Sequence, residues 1–349
     1  MATVTLEDVA RRAGVSRSLV SLALKGSTRV SATTRARIVS AAEELGYRPN
    51  LNARRLASAR SNTLGVVLAD LHNPVYAEIL EGISASNGED SQQLLLASGF
   101  RDPVRERAGL EFLIAQQVEG VLIAGPLCSD EDLQLIARQV PLVVIGRSVP
   151  TLDSVLVDDA LGLRQAVEHL VELGHERIVH IDGGEGAGSV SRRRSYEATM
   201  RAHGLQSEIR VMAGDYSEQG GRSAAALLLG EDRPPTAIVA ANDLSAIGVL
   251  AAARSAGVSV PDDLSVVGFD NTALAHNGYV DLTTVDYPRD LMGTTARELL
   301  TERIAEQPGR AARVVVVPTS LMPRSTSAAP PVRSAQPAPP GRPATRRSR

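Results

Sequence analysis

Two groups of side chains in this 349-residue sequence have types and spacing suited to recognition chemistry. The first is Arg17, Ser18, Ser21, Leu22 and Lys25, which fall on the side of one short segment that its apolar Leu19, Val20, Ala23 and Leu24 leave free. An arginine fork matches the O6 and N7 edge of guanine, serine hydroxyls donate to or accept from several bases, and an apolar group can meet a thymine methyl. Leu22 is either such a methyl contact or an ordinary scattered surface leucine. Nearby, Ser16, Arg29, Ser31, Thr33, Thr34 and Arg35 could reach phosphates, or simply cap helices and stay solvated. The second group follows the ends of apolar runs: Asp70 with His72, Asn73 and Tyr76; Ser98 to Arg101; Gly125; Arg147; Asp182 with Arg192; Asn242-Asp243; and Phe269 with Asp270-Asn271. Planar guanidiniums, carboxylates and one or two aromatic faces suit a hydroxylated small ligand.

Catalytic constellations are missing from the pattern. Ser98, Ser189 and Ser191 have neither a neighbouring His base nor a G-x-S-x-G turn. The six histidines, His72, His169, His175, His180, His203 and His276, show no pair at metal-ligand spacing with a carboxylate or Cys companion, and the lone Cys128 excludes a multi-thiolate site or an internal disulfide. Gly183-Gly184-Glu185-Gly186-Ala187-Gly188 lacks both the Gly-Lys-Ser/Thr ending of a phosphate loop and the dinucleotide spacing, so a cleft rim is expected there. His175, after Leu173-Gly174, reads as a helix-end histidine favoured by the dipole. No cofactor, no metal and no enzymatic activity are expected.

The net charge of −3 divides unevenly along the chain. Residues 1–60 hold eleven basic and four acidic groups, +7; residues 61–327 hold 21 basic and 36 acidic, −15; residues 328–349 hold five Arg and no acid. A basic head on an acidic body implies a polyanion partner for the head alone. No window approaches 18 uncharged apolar residues, and the first twenty include Glu7, Asp8, Arg11 and Arg12 rather than an apolar signal core, so a cytoplasmic protein without membrane contact is expected.

The elements that must position these groups follow from periodicity. Leu6, Val9, Ala10 and Ala13 mark one face of a helix that Thr5 and Asp8 can cap and Gly14 can end. Ser16 can cap a second helix, and a third begins near Ser31, buries Ile38, Ala41, Ala42 and Leu45, and stops at Gly46. Three short helices with a tight Gly turn between the first two make a helix-turn-helix, whose second helix enters a major groove. From residue 61, eight apolar runs (64–69, 93–97, 120–124, 141–145, 177–181, 209–212, 236–240 and 264–269) alternate with helical stretches (75–84, 104–117, 163–173, 196–202, 219–229 and 244–255). Such alternation means parallel sheets covered on both faces. Two series, divided near residue 159, imply two α/β subdomains with a ligand cleft at the carboxyl ends of their strands.

The segments Thr5 to Ser16, Val20-Ser21, Val30-Ser31, Thr34-Arg35, Leu45 to Asn50 and Ala53 to Leu56 resemble the head and hinge of the LacI/GalR repressor family, and the resemblance continues to about residue 325. It implies an all-α helix-turn-helix DNA-binding head (1–48), a hinge helix (49–60) and a two-subdomain α/β core like a periplasmic binding protein (61–327). The core would divide into 61–158 plus 287–306 and 159–286 plus 307–327, with Val314 to Val317 adding a strand to the second subdomain. Beyond Arg324 the chain is mostly Pro, Ala, Ser and Arg without periodicity, which predicts disorder, with 328–349 as the tail. The implied function is a dimeric transcriptional regulator, a repressor, that binds a palindromic operator and responds to a sugar, a sugar derivative or a purine. DNA would be met by Thr5, Leu6, Ser16, Arg17, Ser18, Ser21, Leu22, Arg29, Ser31, Thr34, Asn50, Ala53 and Leu56, the last wedged at the central base step. The effector would be met by Asn73, Tyr76, Arg147, Arg192, Asn242, Asp243, Phe269 and Asp270, with Tyr76 and Phe269 as stacking faces. Leu19, Leu22 and Lys25 depart from the family's usual Thr, Arg and Asn, which implies an operator whose half-site bases differ from the commonest family consensus. Ser195 departs from the family's Gly, which leaves Arg193 or Arg194 as alternatives to Arg192. A transporter's solute-binding protein would share the cleft but not the basic head, and an enzyme would need an acid–base pair or a metal cluster.

Overall fold

The computed structural model describes residues 4–24, 27–47, 61–85, 92–305 and 310–331, in two compact units, Met1–Ser61 and Asn62–Arg349. In the first unit three helices enclose one small core. Helix α1 (Leu6–Ala13) starts at Thr5, whose Oγ1 accepts from the Asp8 N–H while the Asp8 carboxylate accepts from the Thr5 N–H at 2.9 Å. This reciprocal pair satisfies two backbone donors that the first turn would otherwise leave open. Gly14 ends the helix in left-handed backbone, φ 64°. Ser16 and Ser31 accept at 3.3 Å from the N–H groups of Leu19 and Thr34, at the starts of α2 (Arg17–Leu24) and α3 (Ala32–Glu44). Val9, Ala10, Ala13, Val20, Ala23, Val30, Ile38, Ala41 and Ala42 fill the space between the helices, with Leu6, Leu19, Leu24 and Leu45 packed around them.

The second unit holds two six-stranded sheets. Its elements in chain order are β1 (Thr63–Leu68), α4 (Pro74–Ala85), β2 (Gln93–Ser98), α5 (Pro103–Ala115), β3 (Gly120–Ala124), α6 (Asp130–Ala137), β4 (Leu142–Ile145), β5 (Asp153–Val157), α7 (Asp159–Glu172), β6 (Ile178–Ile181), α8 (Ser189–Ala202), β7 (Arg210–Met212), α9 (Glu218–Leu229), β8 (Ala237–Ala240), α10 (Asp243–Ser255), β9 (Ser265–Phe269), β10 (Thr283–Asp286), α11 (Arg289–Ala305), β11 (Val314–Val317) and β12 (Ser320–Met322). The first sheet has the order β11-β5-β4-β3-β1-β2 and is parallel throughout; the second has the order β12-β10-β9-β8-β6-β7 with β12 alone antiparallel. Strands β1 and β3 are buried along their whole length, which is why they read as unbroken apolar runs.

Glycine lets helices cross closely in both halves. A Cβ on Gly82 of α4 would fall on the Asp290 carbonyl, and one on Gly293 of α11 would fall on the Ile79 carbonyl. Gly221 and Gly248 serve α9 and α10 in the same way. Helix α11, which enters the chain after the second sheet's β10, is thereby fixed on the first sheet's α4.

Two expectations need correction. Val314–Val317 does not join the second subdomain: it pairs in parallel with β5 at the edge of the first sheet, Val315 opposite Val155. Strand β5 was itself not anticipated, because DSVLV is short and carries two polar residues, so the valine run had no visible partner in the first sheet. Residues just past Arg324 are also ordered rather than loose. Thr326 is buried, donates from its Oγ1 to the Val266 carbonyl at 2.7 Å, and accepts from Thr283 N–H at 2.9 Å. The Ala328 carbonyl accepts from His175 Nε2 at 2.8 Å. His175 does follow the end of α7, but it is a buried clasp on this segment, bonded also to Thr236 at 2.9 Å, and burial lowers its pKa against the charged form a helix dipole would favour. The hinge positions and the tail from 332 onward lie outside the described residues, and no helix among the described residues is long and apolar enough to cross a membrane.

Candidate functional site

In the first unit, α2 presents an exposed face. On α2, Val20 and Ala23 point into the core, while Arg17, Ser18 and Leu22 are exposed and Ser21 is half-buried. Neighbouring cations are engaged: Arg11 pairs with Asp8, Arg12 with Glu44, and Arg35 donates to the Ser27 carbonyl at 2.6 Å. Arg17 reaches Glu7 only at 4.0 Å, with both side chains in solvent, so little holds it back from another anion. Thr5 and Ser31 spend their hydroxyls on capping and Thr34 accepts from Ser31 at 2.8 Å, while Leu6 packs on the core and Ser16 and Arg29 are exposed. These groups hold or flank the exposed face. Lys25, Asn50, Ala53 and Leu56 lie outside the described residues.

The second unit encloses a cavity of about 370 Å³ where the carboxyl ends of the two sheets face each other. The first sheet contributes Asp70, Asn73 and Tyr76 after β1, Arg101 after β2 and Gly125 after β3. The second contributes the Gly183–Ala187 loop after β6, Asp215 and Tyr216 after β7, Asp270 after β9, and Asp159 and Arg192 from helix starts. Arg101 donates to the Asp215 carbonyl and so ties the two walls together.

Arg192 organises the second wall. Its Nε donates to Asp159 at 2.7 Å, its Nη1 to the Ala241 carbonyl, and Asp270 stands 4.0 Å from Nη2. The guanidinium lies 3.6 Å from the centroid of Phe269, a stacked cation–π contact in a buried setting. Burial pushes the Asp270 carboxyl up to about 7; Arg192 opposes this, the nearby Asp243 charge reinforces it, and Tyr287 donates to it at 3.0 Å. Asp270 also sits at φ 109°, a region that costs a non-glycine residue about 1–3 kcal/mol and persists only where its surroundings over-determine it. Tyr216 donates to the Ala187 carbonyl at 2.8 Å, and its ring occupies the space that a Cβ on Gly183 or Gly186 would need. The glycine loop therefore exists to admit an aromatic ring. On this wall the carboxylates, the Arg192 guanidinium and the tyrosine hydroxyls offer paired donors and acceptors in a partly dry site.

Four of the eight anticipated effector residues, Asn73, Tyr76, Arg192 and Asp270, line this cavity. The other four do not. Arg147 turns away to Asp130 and to the Pro126 and Cys128 carbonyls; Asn242 caps α10, accepting from Ser245 at 2.9 Å; Asp243 is sealed below by Thr272 and Thr284. Phe269 is fully buried under Arg192, so its face is already stacked. Among the three consecutive arginines, Arg192 faces the cavity, whereas Arg193 pairs with Asp182 and Arg194 lies along a separate surface groove. Sequence reading missed Asp159, Tyr216 and Tyr287. Each follows a strand end, so the rule that found the others would have found these had β5 been seen and the residues after β7 and β10 been read.

Known proteins share both units. A profile described as "Bacterial regulatory proteins, lacI family" matches residues 5–50, and one described as "Periplasmic binding protein-like domain" matches residues 167–327. The HTH-type transcriptional regulator DegA of Bacillus subtilis is 34% identical over 336 residues, covering 93% of this chain and 98% of its own. The chain belongs to the lacI family of bacterial regulatory proteins. The fold agrees: the lac repressor dimer bound to operator and the anti-inducer ONPF superposes with a TM-score of 0.83 at 29% identity, over 94% of this chain and all of that one. The transcriptional regulator CelR in complex with cellobiose gives 0.69 at 32% identity, over 93% and 100%. As a lacI-family member the protein is a DNA-binding transcriptional regulator and not an enzyme.

Proposed function

We propose that this regulator binds a palindromic operator as a dimer, represses transcription, and is controlled by a sugar or sugar derivative held between the two sheets. The observation that carries the effector reading is Arg192, fixed between Asp159 and Asp270 on the cavity wall, a guanidinium–carboxylate array matched to vicinal hydroxyls. The cellobiose complex of CelR supports it by relationship. Asn73, Tyr76, Arg192, Asp270 and, from the structure, Asp159 and Tyr216 are the effector-facing residues in this reading. Arg17, Ser18, Ser21 and Leu22 read bases, with Thr5, Leu6, Ser16, Arg29, Ser31 and Thr34 placing the head, and with Asn50, Ala53 and Leu56 acting in the minor groove.

Dimerisation is supported by the β2 side of the first sheet, where β2 is the last strand among the described residues. Leu96 on β2, Phe100, and Val104 and Phe112 on α5 are all about half-exposed or more, an apolar strip beside the sheet's edge strand. The test is operator selection from random-sequence DNA followed by binding titrations. An inverted repeat should emerge whose log affinity falls steeply with log salt, because each neutralised phosphate releases condensed counterion. Equal affinity for unselected DNA of the same length would sink the proposal. Adding the effector should then shift operator affinity.

A further inference from the structure

The charge of the cavity wall restricts the effector further. Among the described residues that line it, five carry carboxyl groups, Asp70, Asp159, Glu185, Asp215 and Asp270, against two guanidiniums, Arg101 and Arg192. Both cations are committed: Arg192 to Asp159 and the Ala241 carbonyl, Arg101 to the Asp215 carbonyl, with the Asp215 carboxylate 3.9 Å away. Among the described residues no lysine or histidine lines the cavity. With Asp270 taken as protonated, four carboxylates still face two cations.

The remaining place for an anion is the glycine loop at the start of α8, where free backbone amides would cradle a phosphate. Three of those amides are spent within the loop. Gly183 N–H donates to Ser189 Oγ at 3.2 Å, Gly184 N–H to the Asp182 carboxylate at 3.1 Å, and Gly186 N–H to the Gly183 carbonyl at 3.3 Å. The helix end is also already faced by a carboxylate, since Asp159 Oδ2 lies 2.7 Å from where a Cβ on Gly188 would stand. An entering phosphate or carboxylate would lose its hydration and meet like charge, with these three amides no longer available to cradle it.

From this geometry, and resting on the effector reading above, we infer that the cavity takes an uncharged or amine-bearing polyhydroxy ligand and rejects phosphorylated and acidic sugars. An ammonium group gains from the surplus carboxylates; a phosphate meets them as repulsion.

The full-length protein is titrated by calorimetry, with thermal shift as a first screen, against a library of pentoses, hexoses and disaccharides. Each is supplied with its 2-amino, uronate and terminal-phosphate counterparts where these exist. The expected hits are neutral or amino sugars, with the uronate and phosphate forms of the same sugar at least tenfold weaker at low salt. The double variant Glu185→Gln/Asp215→Asn should narrow that gap severalfold while changing neutral-sugar affinity less. An acidic or phosphorylated sugar binding as tightly as its neutral parent would overturn the inference, as would a gap that the double variant leaves unchanged. Silence from the whole library would instead remove the sugar reading itself, a different failure from an anion binding well.

Discussion

Replacing Arg192 by alanine should destabilise the core by an amount that depends on pH in a defined way. The guanidinium is buried, bonds Asp159 at 2.7 Å and covers Phe269 at 3.6 Å. Deleting one partner of a buried ion pair costs about 3–5 kcal/mol, because the other charge stays behind. Asp270 adds the pH dependence. Its folded pKa, raised from 3.8 to about 7, means that the stability it contributes is complete below 3.8 and lost as pH rises to about 7, after which the wild-type curve is flat in this group. Arg192 is the main influence holding that value down. Without it the carboxyl titrates higher, so the variant keeps losing about 1.4 kcal/mol per pH unit above 7. Urea unfolding followed by far-ultraviolet circular dichroism should give a wild-type-to-variant gap of about 3 kcal/mol at pH 6, growing by about 2 kcal/mol at pH 8.5. A gap that is the same at both pH values would refute the coupling between Asp270 and Arg192. No gap at either would refute the buried pair.

Arg17→Ala should cost about 1–3 kcal/mol on the selected operator and relax base preference at one half-site position; unchanged preference at every position would mean that Arg17 meets phosphate only. Gly186→Ala places a Cβ 2.5 Å from Tyr216 Cε2, so the ring must move. Calorimetry should show effector affinity down at least tenfold with ligand-free operator affinity kept, and equal effector affinity would exclude the ring from the binding surface. His180 lies fully buried in β6, bonded to the Val239 carbonyl at 2.9 Å, and burial lowers its pKa from 6.5 to about 4. Its stabilising contribution is therefore complete above 6.5 and lost as pH falls to about 4, roughly 3 kcal/mol in all. His180→Gln should remove this acid slope in chemical denaturation, and a slope that persists undiminished would assign it elsewhere.

The head was legible because local rules decide it: a capping pair, a left-handed glycine and one apolar face per helix determine α1 to α3 with few distant contacts. The sheets were legible wherever both faces are covered, as in GVLIA of β3. Legibility failed where tertiary pairing overrides composition. DSVLV of β5 is a strand because its neighbours β4 and β11 complete it, and its Asp153 is tolerated in the interior because Arg303 and Arg310 bond it at 2.7–2.9 Å. The polar segment after Arg324 is ordered by hydroxyl bonds to Thr283 and Val266, which no hydropathy pattern signals. At the cavity, position after a strand end found the right loops but not the side chains' directions. Arg147 and Asn242 sit where the rule places them and are claimed by local partners.

The same geometry sets a condition on what can act as an effector. Asp270 presents its side chain to the cavity while its carbonyl, like that of Asn271, accepts from Arg289 at the start of α11; Arg289 also donates to Glu78 of α4 at 2.6 Å. One guanidinium thus joins a second-sheet loop to first-sheet helices, beside the cavity. Coupling to DNA requires a ligand whose contacts differ between two arrangements of the walls. A molecule touching Arg192 and Tyr216 but not Asn73 or Tyr76 would bind equally well however the sheets stand, and would shift nothing however tightly it bound. The effector must therefore span the cavity, and a ligand confined to one wall can act only as a silent competitor.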